Sequence, residues 1–356
     1  MRRTSSVRTA SFLGVAGVGL AVVLLIGGCS GGGGKKPRLN GGGSSFVNPM
    51  MEKWSGEYVS KGVEVDYTSS GSGDGVTKMI ERKNDFGCTD APMNEEQLKK
   101  AGGADAVIHV PLVMGAVVPI YYLPGVDEQL HFTGDVLARI YLGDIDNWSH
   151  KDLKALNKSV DLPDLKIHVV HRSDPSGTSH IFTDYLSEVS KEWKQKVGKS
   201  TNPTWKVGEG AQKNPGVAKA VQLKKGAIGY VELIYALQNK ETLSFGLVQN
   251  ADGDYPEPTI ESVTKAAEAK LKDIPDDLRF SLVNPPKGVK GAYPISGTVW
   301  AVCYVKQPKE KVNVLKDFLR WAIHDGQNLA KEKHYARLPS GLADKADKKI
   351  ELIQAE

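Results

Sequence analysis

Arg172-Ser173-Asp174-Pro175-Ser176-Gly177-Thr178 puts one guanidinium, one carboxylate and three hydroxyls into a single turn-forming stretch. Pro, Ser, Gly and Asp are the residues of turns. Arg172 brings a permanent charge with fixed N–H donors, and Ser176 and Thr178 bring hydroxyl donors. A helix starting at this turn would add the unpaired N–H groups of its first turn and the positive end of its dipole. Together these groups can hold an anion. Two other readings use the same residues. Ser176 or Thr178 can simply cap a helix. Ser176 with His171 or His180 and Asp174 has the residue types of a serine hydrolase, but the stretch lacks the G-x-S-x-G elbow that presents such a serine.

The flanking residues say what must position this turn. Ile167, Val169 and Val170 form a β-branched run that suits a strand. Ile181, Phe182, Tyr185, Leu186 and Val189 recur at the spacing of one helix face. The strand, Ser/Gly turn and helix pattern recurs earlier. Val63, Val65 and Tyr67 alternate as a strand into Ser69-Ser70-Gly71-Ser72-Gly73-Asp74-Gly75, and Val76, Met79 and Ile80 continue as a helix. Gly41-Gly42-Gly43-Ser44-Ser45-Phe46 is a glycine turn leading to a helix with Phe46, Met50 and Trp54 on one side. A further strand, Asp85 to Asp90, ends before Ala91-Pro92, so Asp90 stands at a strand end, where open α/β sheets place ligands. Three such turns with one arginine and one strand-end aspartate form a constellation that separate helix caps do not explain.

The remaining chain supplies a scaffold. Ile108–Tyr122 is an apolar strand with prolines, and Val136–Tyr141 is a helix stopped at Gly143. Trp148 belongs to the core, and Gly226–Val231 is a glycine-bearing strand. Residues 250–280 read as a loop with a surface helix. Tyr293–Ile295 and Val299–Val305 are strand-like, and Val314–Ile323 is a helix with its stop at Gly326. His168, His171 and His180 lack the spacing of a metal cluster. Cys88 and Cys303 lie in apolar runs where a free thiol behaves as a small hydrophobe, although one disulfide is arithmetically open to them.

The N-terminus has Arg2, Arg3 and Arg8 before an apolar run from Phe12 to Ile26 that is short for a membrane span, the pattern of a signal peptide. Leu25-Ile26-Gly27-Gly28-Cys29 resembles the lipobox of bacterial lipoproteins, which implies cleavage after residue 28 and a lipidated, palmitate-bearing Cys29. A Gly-rich tether follows over 29–40. At 40% hydrophobic and 25% charged residues the composition is that of an ordinary globular protein. Without residues 1–28, 43 basic side chains face 42 acidic ones, so a basic footprint for nucleic acid is absent.

GGGSSF (41–46), GSGDG (71–75), DFGCTDAPM (85–93), YLGDIDNW (141–148), RSDPSGTSHIFTDYL (172–186), GAIGYVE (226–232) and AYPISGTVWA (292–301) resemble, in order, the phosphate-binding proteins of phosphate ABC transporters. The resemblance implies an α/β periplasmic-binding-protein fold of the type II kind. Lobe 1 would hold 41–118 and 283–356, lobe 2 would hold 119–282, and the ligand would lie in the interlobe cleft by a double-crossover hinge. It implies phosphate ligands at Ser45, the Phe46 N–H, Ser72, Asp90, Arg172, Ser176, Gly177 and Thr178, with Asp174 supporting Arg172. It also implies no cofactor, no metal and no catalysis, a monomer anchored to a bacterial membrane outside the cytoplasm, and delivery of phosphate to permease subunits and their ATPase. Another oxyanion, such as sulfate, molybdate or a phosphonate, is the alternative cargo. Two positions depart from the family pattern. Pro175 replaces a glycine, and Asp74 replaces a glycine in the second turn, where its charge either weakens binding or turns outward.

Overall fold

In a computed structural model of the chain, residues 36–356 are described. Four strands open it: β1 (Arg38–Gly43), β2 (Glu64–Ser69), β3 (Phe86–Thr89) and β4 (Val107–Tyr122), with helices α1 (Asn48–Tyr58) after β1 and α2 (Ser72–Ile80) after β2. Next come α3 (Gly134–Leu142), β5 (His168–Arg172), α4 (Gly177–Val189), β6 (Glu209–Ala211), α5 (Lys213–Gln222) and β7 (Ala227–Glu232). The chain closes with α6 (Ile260–Lys270), β8 (Ser296–Tyr304), α7 (Lys309–Ile323) and α8 (Ser340–Glu351). The expected signal peptide over 1–28, the expected lipidation at Cys29 and the expected tether up to residue 35 lie outside the described residues.

The strands run side by side in the order β2-β1-β3-β8-β4-β7-β5-β6. β4 joins the two halves. From Val107 to Ala116 it pairs antiparallel with β8. From Val117 to Tyr122 it pairs antiparallel with β7. Fifteen of its sixteen residues are buried, which is why it reads as an unbroken apolar run and not as an alternation. The pairing with β8 slips by one residue where Trp300 faces Pro111, a residue that has no N–H to give to the ladder. β1 lies parallel between β2 and β3. β5 lies parallel between β6 and β7. The C-terminal ends of β1, β2, β3 and β5 therefore carry Ser44, Ser70, Asp90 and Ser173 as their next residues.

Three local expectations are corrected. The first strand begins at Arg38, inside the stretch that composition assigned to the tether. Gly41–Gly43 is the end of that strand and not a turn, and the following helix starts only at Asn48. Glycine is needed here because β1 passes close to β3. A Cβ on Gly41 would lie 2.2 Å from the Phe86 ring. One on Gly43, at φ +127°, would lie 2.2 Å from the Cys88 carbonyl oxygen. Finally, α7 ends at Ile323 as its periodicity requires, but Gly326 falls inside a 3-10 segment, Asp325–Lys333, and is not the stop.

The helices were legible where apolar spacing was clear. α3 ends on Gly143 in the left-handed conformation. Trp148 is fully buried and donates its indole N–H to the Gly226 carbonyl at 2.9 Å. Cys88 and Cys303 are both free and buried. Cys88 faces Ala301 across β3–β8, while Cys303 faces Ile108 across β8–β4. Among the described residues no helix is long and apolar enough to cross a membrane. Nor do those residues contain a group of three His, Cys, Asp or Glu side chains arranged for a metal.

Candidate anion site

Asp90 is the centre around which the other polar groups gather. It follows β3 and is 2% exposed. Its Oδ1 accepts a hydrogen bond from Ser44 Oγ, and its Oδ2 accepts one from Thr178 Oγ1 at 3.4 Å. Its own N–H donates to Ser72 Oγ at 3.3 Å. Burial pushes the Asp90 carboxyl up to about 6, against the hydrogen bond from Ser44 and the charge of Arg172, which pull it down. Ser72 is the first residue of α2 and is itself buried, so the second Ser/Gly turn contributes a helix start as expected.

The other half of the site begins on β5. Arg172 has a side chain 1% exposed, and it binds Asp174 through two bonds, Nε to Oδ1 at 2.9 Å and Nη2 to Oδ2 at 2.5 Å. This parallel fork is the strong form of a charged hydrogen bond. Burial would raise the Asp174 carboxyl, but the Arg172 bonds and charge, with the Lys213 N–H at 2.9 Å, hold it below its usual value. Asp174 thus fixes the guanidinium plane and leaves Nη1 to reach Thr178 Oγ1 at 3.5 Å.

Ser176, Gly177 and Thr178 head α4 and are buried. The Ser176 hydroxyl oxygen accepts the Ser179 N–H at 3.1 Å, so the capping reading of Ser176 is correct as far as its lone pair goes. Its proton remains to be given. Of the residues in the hydrolase reading, His171 stacks on Trp205 at 4.8 Å between ring centres with its Nδ1 3.0 Å from a backbone carbonyl, and Asp174 is engaged by Arg172 and not by a histidine. A Cβ on Gly177 would lie 2.6 Å from the Asp90 carboxylate, so only glycine lets the two halves meet there. The Gly73 N–H also donates to the Pro175 carbonyl at 3.0 Å across the same line. A recess of about 280 Å³ opens beside this contact, lined by Ser72 and Pro92 from one half and His180 and Lys199 from the other.

Eight predicted residues, Ser45, Phe46, Ser72, Asp90, Arg172, Ser176, Gly177 and Thr178, are buried here, and Asp174 stands behind Arg172. Ser45, Ser72, Asp90, Arg172 and Thr178 are tied together by hydrogen bonds, some through Asn214. One differs from expectation. The Phe46 N–H donates to Ser44 Oγ at 3.0 Å, so it holds Ser44 in place instead of facing outward. Asp74 is half-buried in the first turn of α2, where it pairs with Lys78 at 2.9 Å. Burial would raise its carboxyl, but Ser70 and the charges of Lys78 and Lys213 hold it below the usual value.

Sequence reasoning missed Ser44, which stands beside Ser45 in the same turn and is the one that reaches Asp90. It also missed Asn214. Asn214 Nδ2 donates to Ser45 Oγ at 3.0 Å and lies 3.3 Å from Thr178 Oγ1. Lys-Asn-Pro-Gly at 213–216 signals a turn and helix start, but nothing local says that it faces this site. Tyr235 and Tyr335 donate to the Ser45 and Phe46 carbonyls at 2.6 and 2.5 Å and lock the first turn. Glu232 lies 3.3 Å from the Tyr335 hydroxyl, and burial raises its carboxyl well above the usual range.

Residues 30–325 match the PBP superfamily domain. A phosphate-binding protein PstS of Xylella fastidiosa (strain Temecula1) is 41% identical over 309 residues, 86% of this chain and 82% of the relative. The PstS of Haemophilus influenzae is 37% identical over 322 residues, 89% of this chain and 94% of the relative. The chain belongs to the PstS family of the PBP superfamily. A solved phosphate ABC transporter substrate-binding protein with bound phosphate from Clostridium perfringens has a TM-score of 0.61 at 20% identity, covering 85% of this chain and 100% of that one. A phosphate-binding protein from Stenotrophomonas maltophilia has a TM-score of 0.66 at 17% identity, covering 87% and 93%. The fold is the two-lobed α/β architecture of this family.

Proposed function

We propose that the protein binds inorganic phosphate outside the cytoplasm and delivers it to an ABC import permease. One observation carries this reading: a single buried acceptor, Asp90, sits inside a shell of donors that come from both halves of the fold. Phosphate near neutral pH has oxygens for the donors and at least one proton for the acceptor. Ser45 and Ser72 serve one side, and Arg172, Ser176, Thr178 and the first N–H groups of α4 serve the other. The Phe46 N–H, expected as a direct ligand, supports Ser44 in this arrangement. Closure makes both sets of bonds at once, so phosphate shifts an open–closed equilibrium toward the closed form.

The same shell admits sulfate, molybdate or a phosphonate by shape, but an oxyanion without a proton leaves Asp90 facing another acceptor. The relatives at 36–41% identity are phosphate-binding proteins, which supports a receptor and gives no role to the serines as nucleophiles. We place lobe 1 at 41–118 and 283–356 and lobe 2 at 119–282, a division supported by the exchange of partners on β4 after Ala116. The N-terminal 28 residues act as a signal peptide and Cys29 carries the lipid, on the strength of the Leu-Ile-Gly-Gly-Cys motif. The test of cargo is thermal unfolding with phosphate or sulfate at 1,000 times the dissociation constant, where a ligand adds about 4 kcal/mol. A rise with phosphate alone is expected. No rise, in protein refolded free of bound ligand, would overturn the reading.

A further inference from the structure

The start of α5 does more than begin a helix. Lys213 holds φ +60°, a conformation that costs a non-glycine residue energy and is kept where the surroundings demand it. That turn aims two successive backbone donors into the site. The Lys213 N–H reaches Asp174 Oδ1 at 2.9 Å, and the Asn214 N–H reaches Ser45 Oγ at 3.3 Å. The Asn214 side chain is fully buried. Its amide orientation is determined by the Glu232 N–H, which donates to Oδ1 at 3.0 Å and leaves Nδ2 for the hydroxyls.

A serine or threonine hydroxyl has one proton to give and two lone pairs. Ser45 Oγ receives both donors of Asn214, the backbone N–H and Nδ2. Both of its lone pairs are occupied, and only its proton is left. Thr178 Oγ1 receives Asn214 Nδ2 at 3.3 Å and Arg172 Nη1 at 3.5 Å, so it too can only donate, and without an anion its proton goes to Asp90 Oδ2 at 3.4 Å. Ser45 lies 133 positions before Thr178 in the chain and on the opposite side of the site, yet one amide contacts both.

We propose that Asn214 is a positioning residue that makes Ser45 and Thr178 obligate donors toward a fully ionised anion oxygen, and joins the two halves of the site in doing so. This rests on the reading of the site as a phosphate site. An anion oxygen can only accept. A hydroxyl free to rotate would spend part of its time presenting a lone pair, and Asn214 removes that option before the anion arrives. An acceptor at position 214 would reverse both hydroxyls, because their protons would turn toward it.

The test is calorimetric titration of phosphate into full-length wild-type protein, Asn214→Asp and Asn214→Ala, from pH 5 to pH 8. At pH 8, Asn214→Ala is expected to lose about tenfold in affinity and Asn214→Asp about 100-fold, since the carboxylate both removes the donor and reverses the hydroxyls. The Asn214→Asp deficit relative to wild type is expected to shrink as the pH falls and the new carboxyl takes a proton. The charged or titratable groups around position 214 are Asp90, Arg172, Asp174, Lys213 and Glu232, and all are common to the proteins compared. Equal deficits in the two variants, constant with pH, would mean that Asn214 only fills space and would overturn the proposal. Should Asn214→Asp not fold, Asn214→Ala binding within twofold of wild type overturns it, and a tenfold loss with an unchanged unfolding midpoint supports it. Wild-type protein that gives no heat with phosphate would refute the phosphate reading itself, a result separate from any ratio between variants.

Discussion

Replacing Asp90 with asparagine tests the selectivity of the site most directly. The Asp90 carboxylate is buried, and the protein gives it only the Ser44 hydroxyl and a long contact from Thr178. It has lone pairs to spare for a proton on the ligand. Phosphate offers one; sulfate does not. Leaving a buried acceptor unpaired costs about 1–3 kcal/mol, and two like charges 4 Å apart at an effective dielectric near 20 repel by about 4 kcal/mol. Arg172 offsets part of the repulsion, so sulfate should bind wild type at least about 100-fold more weakly than phosphate at pH 8. The pH dependence sharpens the test. With the Asp90 carboxyl at about 6, about 1% of the free protein carries a proton there at pH 8 and about 90% at pH 5. A protonated Asp90 can donate to sulfate. Apparent sulfate affinity in wild type should therefore rise about 100-fold from pH 8 to pH 5, following the competent fraction. In Asp90→Asn the amide can donate at every pH, so sulfate affinity should be flat and, at pH 8, about 100-fold above wild type. Calorimetry with both anions at the two pH values measures all of this. Sulfate binding to wild type that does not change with pH, or to Asp90→Asn that is no tighter than to wild type at pH 8, would refute the selectivity argument.

Other changes follow from single contacts. In the phosphate-free protein Asp90 also tilts stability. Its folded value near 6 is above the usual 3.8, so its contribution is whole below about pH 4 and lost as the pH rises through about 6. Denaturant titrations should show wild type losing about 3 kcal/mol relative to Asp90→Asn between pH 4 and pH 7. Gly177→Ala puts a Cβ 2.6 Å from the Asp90 carboxylate and should abolish phosphate binding, read by calorimetry, while the far-UV circular dichroism stays native. Gly43→Ala combines φ +127° with a Cβ 2.2 Å from the Cys88 carbonyl oxygen, and should lower stability by about 3 kcal/mol or more in urea. Burial pushes the Cys303 thiol up to about 12 and raises Cys88 further, so neither should react with a thiol reagent until the protein is unfolded.

Short stretches of the chain carry the local pieces of the site. Strand, turn and helix are short-range matters of side-chain alternation, turn residues and apolar spacing. Arg172, Ser176 and Thr178 could therefore be named from their own neighbourhoods and Asp90 from its place at a strand end, whereas Ser45, Phe46, Ser72, Asp174 and Gly177 entered through the family resemblance. The glycines at 41–43 were read with the wrong element, because their reason is the closeness of β1 to β3 and not a turn. The other roles come from long-range packing. Ser44 and Ser45 are chemically alike and adjacent, and only the position of Asp90, 46 residues away, separates their roles. Asn214 meets Ser45 across 169 residues, a contact with no local signal. Asp74 pairs with Lys78 because α2 begins at Ser72 and brings the two side chains one turn apart on the same helix. Turn chemistry is written in consecutive residues. Which donor faces which acceptor depends on how β4 brings distant strand ends together, and that is a property of the packed molecule.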